Sequence, residues 1–279
     1  MKLGNLSKLI TALTVATTFQ LFSVAKLMAT DAFKIIGLTP NNVLVSFGSD
    51  NPDRVRVTGI GNGNLQCIDF RPANGKLYGF TDTDRIYTIN PNTGVATLVS
   101  TLNPSNRSFN GGFQSGCDFN PVVDRLRIVG SNNQNFRVNV DTGEIAEFAP
   151  GIRPDRPLAY ASGDPNARFG ANITAAAYDN SRTGATLTEL YGIDYDLDVL
   201  VEQDPPNDGT LNTIGSLGFN FASLVGFDIS TDKAGKDNAF AISGSKLYTI
   251  SLETGAARKL GNMPIRSGYI GLAVTVRQR

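Results

Sequence analysis

No histidine and no tryptophan occur among the 279 residues, so Ser-His-Asp and Cys-His catalysis, imidazole bases and most catalytic zinc sites are excluded. The groups left to do chemistry are carboxylates, guanidiniums, amides and two thiols. Asp69, Asp118 and Asp228 take the same place in three related segments, with Ala177 and Ala273 in two others. Carboxylates gathered in this way could ligate a metal or serve as acid and base. Arg127 stands where related segments have Tyr78 and Tyr191, and Arg137 is aligned with Tyr87 and Tyr248. Burying two guanidiniums is costly unless acceptors meet them. The three aspartates are the expected acceptors, giving a structural polar network of Asp69, Asp118, Asp228, Arg127 and Arg137. In the alternative, part of the positive charge holds an anionic or carboxylate-bearing ligand.

Asp194-Tyr-Asp-Leu-Asp198 spaces three carboxylates, Asp194, Asp196 and Asp198, like the start of a calcium loop. It fails the stricter EF-hand pattern, because Val199 replaces the required glycine and Pro205 stands at the closing position. A polar turn or a calcium site of another type remains, and calcium is the one cofactor left open. Two long polar connections, residues 101–116 and 150–172, are rich in Asn, Ser, Gly, Pro and Arg. Long loops on a rigid scaffold are where binding usually resides. With the Arg127 and Arg137 pair, they supply the ligand-binding candidates Arg107, Asn132, Asn133, Gln134, Arg153, Arg156 and Tyr160. Cys67 and Cys117 are either bridged or two buried thiols.

The elements that must position these groups come from a repeat. One copy reads Cys67-Ile-Asp-Phe-Arg-Pro, Lys76-Leu-Tyr-Gly-Phe, Arg85-Ile-Tyr-Thr-Ile-Asn, Thr93-Gly and Val95-Ala-Thr-Leu-Val. The same order of short β-rich runs recurs from Cys117, from Ala175 and from Val225. Four strands per unit describe a propeller blade. The chain ends on a lone first strand, Tyr269-Ile-Gly-Leu-Ala-Val-Thr-Val, while strands two, three and four of that unit stand at the start, from Phe33, Asn42 and Arg54. Pairing the termini would close the ring and remove its exposed edges. The expected fold is an all-β propeller of five four-stranded antiparallel blades, or six if residues 158–169 hide further strands.

The first residues carry Lys2 and Lys8, then an apolar stretch to Ala25 ending in Ser23-Val24-Ala25. This reads as a signal peptide over residues 1–29, cut after Ala25 or Ala29, followed by one propeller domain over 30–279. Its removal takes away Lys2, Lys8 and Lys26 and no acid, so 25 positive charges become 22 against 25 negative, a net charge of −3. That balance argues against nucleic acid as a partner. No later segment is apolar for long enough to span a bilayer.

The motifs Asp118-Phe-Asn-Pro-Val-Val-Asp-Arg-Leu-Arg-Ile-Val, Gln134-Asn-Phe-Arg-Val-Asn, Ala176-Ala-Tyr-Asp-Asn-Ser, Gln203-Asp-Pro-Pro-Asn-Asp-Gly-Thr-Leu and the Gly-Leu-Ala-Val ending resemble a bacterial family, a domain of unknown function. The resemblance covers nearly the whole mature chain. It implies an exported, propeller-like protein and carries no catalytic residues to transfer.

The expected function is therefore a periplasmic or extracellular, monomeric, non-enzymatic binding module. It would use loops on one propeller face to hold a sugar, peptide, anionic small molecule or protein. The alternatives are a calcium- or carboxylate-dependent hydrolase or lyase at the central channel, and a purely structural envelope or matrix protein.

Overall fold

The computed structural model describes residues 32–47, 53–103, 108–265 and 268–277. The expected signal peptide and Arg107 lie outside them. The described chain is almost entirely strand and turn. Strands β1 (Phe33–Leu38), β2 (Val43–Phe47) and β3 (Arg54–Arg56) are followed by β4 (Leu65–Phe70), β5 (Leu77–Thr81), β6 (Arg85–Ile89) and β7 (Ala96–Thr101). Next come β8 (Ser115–Asn120), β9 (Arg125–Gly130), β10 (Asn135–Val138) and the two-residue β11 (Ala159–Tyr160). Then follow β12 (Ile173–Tyr178), β13 (Leu190–Asp194), β14 (Val199–Gln203), β15 (Thr210–Ser216), β16 (Val225–Thr231), β17 (Asp237–Ser243), β18 (Lys246–Ile250), β19 (Ala257–Asn262) and β20 (Gly271–Val276).

Hydrogen bonding sorts these strands into five antiparallel blades. Blade 1 has the order β20-β1-β2-β3, so the last strand pairs with the first, Phe33 opposite Val276 through Leu38 opposite Gly271. Blades 2 and 5 are β4-β5-β6-β7 and β16-β17-β18-β19. Blade 3 is β8-β9-β10, its outer strand reduced to a bridge between Val138 and Ile145. Blade 4 is β12-β13-β14-β15, with β11 added in parallel to β15. Residues 158–169 thus contribute an edge strand to blade 4 and no sixth blade.

The strands β4, β8, β12, β16 and β20 contact one another in turn around a central axis, and β20 returns to β4. Five buried apolar clusters lie between successive blades. One joins Tyr78 and Phe80 of blade 2 to Phe119 and Leu126 of blade 3, and the last joins Phe240 and Ile242 of blade 5 to Phe33 and Ile35 of blade 1. Five interfaces for five blades make a closed ring, stabilised by burying apolar side chains at roughly 25 cal/mol per Å². Glycine on the inner strands lets the blades approach. A Cβ on Gly116 would lie 2.6 Å from the Ala175 Cα. Gly143, in the Asp-Thr-Gly turn of blade 3, has φ 74° and rests on the Thr101 carbonyl.

Candidate functional site

The repeat brings Asp69, Asp118 and Asp228 to one level of the ring, on β4, β8 and β16. An oxygen from each lies within 4.8 Å of those of the other two, and the residues are only 4%, 1% and 2% exposed. Each carboxylate reaches to the next blade. Asp69 accepts the Phe119 amide at 2.8 Å, Asp228 accepts that of Val274, and the Tyr178 amide faces Asp118. Asp118 Oδ1 is buried without a hydrogen-bond partner. Burial pushes the Asp69 carboxyl up to about 7 against the pull of its two amide donors. Asp118 and Asp228 are held well above the usual range, first by burial and then by the neighbouring carboxylates.

On the loop side the channel is closed by Gln114, whose side-chain amide donates to the Ile270 carbonyl at 2.6 Å and the Val225 carbonyl at 3.3 Å. Beneath it is a void of about 10 Å³, bordered by Ser115, Gly116, Gly226 and Gly271, room for about one water. On the opposite side the ring opens into a cleft of about 330 Å³ whose lining includes Arg71, Arg182, Ser230, Lys233, Thr275 and Arg277.

The arginines do not meet these aspartates, which corrects the expected network. Arg127 Nη1 donates to Asp155 Oδ2 at 2.6 Å, and Arg137 reaches both oxygens of Asp155, at 2.6 and 2.7 Å. Asn135, Asn207 and the Tyr178 hydroxyl take the remaining Arg127 donors, at 2.8, 2.9 and 3.2 Å. Asp155 belongs to the connection between blades 3 and 4, outside the repeat, so aligning the copies had no means of finding it. A related correction concerns register. Arg127 is opposite Arg137, whereas Tyr78 is opposite Thr88 and Tyr87 is opposite Gly79. Arg137 therefore corresponds to Thr88, and Phe136 to Tyr87. A one-residue slip moves a side chain to the other face of the sheet.

The Asp194, Asp196 and Asp198 turn does not gather its carboxylates. Asp194 is buried and accepts the Tyr160 hydroxyl at 2.8 Å, the Asn172 amide at 3.0 Å and the Asp196 amide at 3.1 Å. Asp198 accepts the Phe221 amide at 2.7 Å. Among the described residues, the one group of acidic side chains close enough to share a metal ion is the channel triad. Tyr160 is thus a buried donor and not a surface contact.

The remaining candidates divide. Gln134 Oε1 accepts the Asn110 and Gly111 amides at 3.0 and 2.9 Å, so it fastens the connection entering blade 3. Asn132, Asn133 and Gln134 line a shallow cleft of about 280 Å³ with Pro154 and Asp155, in which Asn133 Oδ1 is buried and unpartnered. Arg153 is engaged by Glu144 at 3.1 Å and Glu147 at 2.9 Å. Arg156 is largely exposed, lies 4.7 Å over the Phe148 ring and is 3.8 Å from Asp208. Cys67 and Cys117 form a disulfide between the inner strands of blades 2 and 3.

Sequence reasoning passed over the apolar part of the loop face. Phe113, Phe169 and Phe219 are 54%, 44% and 42% exposed and stand in the connections entering blades 3, 4 and 5. Tyr195, in the turn between β13 and β14, meets Phe113 edge to face at 5.5 Å. The missed signal was a phenylalanine beside a glycine in an otherwise polar connection: Gly112-Phe113, Phe169-Gly170 and Gly218-Phe219.

Among solved structures, the chain is similar to a virginiamycin B lyase from Staphylococcus aureus, at 13% identity over 86% of this chain and 73% of that one, with a TM-score of 0.42. It is also similar to a nidogen/laminin complex at 10% identity, 87% and 98% coverage and a TM-score of 0.48. A protein of unknown function from Bacteroides caccae gives 9%, 82%, 72% and 0.42 respectively. No curated protein matches the chain in sequence. Residues 43–273, most of the chain, with blades 2 to 5 whole and blade 1 in part, match the family described as domain of unknown function DUF4394, and the chain belongs to that family.

Proposed function

We propose that the chain is an exported, non-enzymatic binding module that holds its ligand on the loop face of the propeller. One observation carries the reading. The described exposed aromatics, Phe113, Phe169 and Phe219, enter three successive blades on one end of the ring, where the connection between blades 3 and 4 also exposes Ile152. Aromatic rings left in water on polar connections suit the flat apolar face and polar rim of a sugar, or a peptide. Export rests on the basic and apolar start of the sequence, and the mature amino terminus is expected at Lys26 or Thr30. A hydrolase or lyase at the channel carboxylates is disfavoured because their burial leaves a substrate no approach.

The test is calorimetric titration of the exported protein with a panel of oligosaccharides and short peptides, repeated on Phe113→Ala/Phe219→Ala. Saturable binding weakened at least tenfold in the double variant, with the melting temperature kept within a few degrees, is expected. Binding of equal strength in the variant, or none across the panel, would overturn the loop-face reading.

A further inference from the structure

The channel triad is a buried cluster of like charges, and although Arg127 stands opposite Asp118 on the next strand, its guanidinium is engaged by Asp155. The three carboxylates of the triad come from three different blades, and among the described residues no ion pair involves them. Asp118 Oδ1 is a buried acceptor with no protein donor, on a residue 1% exposed, and the contact between Asp118 and Asp228 becomes a hydrogen bond only with a proton held between the two carboxylates. A buried acceptor left unpaired costs free energy, and an ionised one costs more. Three hard oxygens on different strands within 4.8 Å of one another match the donor set of a hard divalent cation, whose calcium–oxygen distances are about 2.3–2.6 Å. Magnesium is the poorer fit, because it keeps several waters and demands near-ideal octahedral geometry, whereas these carboxylates are buried.

We propose that Asp69, Asp118 and Asp228 bind one calcium ion at the base of the central channel, where it ties blades 2, 3 and 5 together. The same carboxylates accept backbone amides of the next blade at Phe119 and Val274, so the ion fixes the side chains that fasten neighbouring blades. The ion is enclosed as the ring closes, because the carboxylates are buried and the mouth beneath them includes Arg71, Arg182 and Lys233. Loading therefore belongs to folding.

The test unfolds the mature chain in guanidinium with a chelator, then refolds it in 1 mM calcium or in chelator. Metal content is measured by mass spectrometry and stability by thermal unfolding. One equivalent of calcium and a melting temperature at least 5 °C higher in the calcium sample are expected, the size that mass-action stabilisation of about 2 kcal/mol gives a domain of this length. Asp118→Asn should retain no calcium and melt in chelator at or above the wild type, because it relieves repulsion. Asp196→Asn, in the exposed turn, should retain the full equivalent. Wild-type protein that refolds without calcium and melts alike in both conditions overturns the proposal. So does full calcium binding in Asp118→Asn, or its loss in Asp196→Asn. Should Asp118→Asn not fold, the wild-type stoichiometry and Asp196→Asn still decide.

Discussion

Two buried charge clusters stand on neighbouring strands of this ring, with Asp118 of one opposite Arg127 of the other across β8 and β9, and are built on opposite principles. In the first, Asp155 lies between Arg127 and Arg137, and Asn135, Asn207 and the Tyr178 hydroxyl take the remaining Arg127 donors. In the second, three aspartates face one another with backbone amides as their donors and one oxygen left over. The first cluster is closed, with every charge answered by protein groups, and its role is to hold the blade 3 to blade 4 connection against both blades. The second is open, and its balance depends on what the solution supplies, whether protons or a cation. A buried group earns a functional reading when its charges fail to cancel, not merely because it is charged.

The largest effect that would test this contrast is expected at the closed cluster. Asp155→Ala leaves two guanidiniums without their shared acceptor and should destabilise the fold by about 3–5 kcal/mol in urea unfolding. A loss below about 1 kcal/mol would show that the network is not structural.

Next is the pH response of the open cluster in calcium-free protein. With Asp69 raised to about 7 and its two neighbours also raised, the native state binds more protons than the unfolded chain between about pH 4 and pH 7. Stability is then greatest in acid and falls as pH rises through 7, by up to about 4 kcal/mol for Asp69 alone at roughly 1.4 kcal/mol per pK unit. Chemical denaturation across that range checks it, and a stability that rises with pH would remove the unbalanced charge from the account. Asp118→Asn should flatten the slope, whereas Asp155→Ala should leave it in place.

The disulfide gives the smallest expected change. Cys67 and Cys117 are 50 residues apart in sequence and join the two blades that carry Asp69 and Asp118. Cys67→Ala/Cys117→Ala should cost roughly 2–4 kcal/mol, and denatured, unreduced wild type should titrate no free thiol. Two free thiols would leave the apolar contacts between blades 2 and 3 to hold those carboxylates together.

Much of this could be read along the chain. The recurrence of Lys76-Leu-Tyr-Gly-Phe as Glu189-Leu-Tyr-Gly-Ile, the Thr-Gly turns and the divided unit at the termini carried the blade count and the ring closure, because each blade repeats a local pattern of period two. The shared level of Asp69, Asp118 and Asp228 was legible for the same reason. The arginine register was not, since Tyr87 and Phe136 look equally apolar in a short strand and only the ladder shows which residue faces Arg127.

The sequence by itself determined the strand repeat, the order of blades and the three residues that form the acidic level, because these follow from local pattern and its recurrence. Tertiary structure alone decided that Asp155 neutralises the arginines, that Asp194 turns inward to Tyr160, that the two cysteines are bridged and that three phenylalanines share one face. These partners come from non-repeating connections or from other blades. Their meeting depends on how the closed ring brings distant segments together, which no local pattern records.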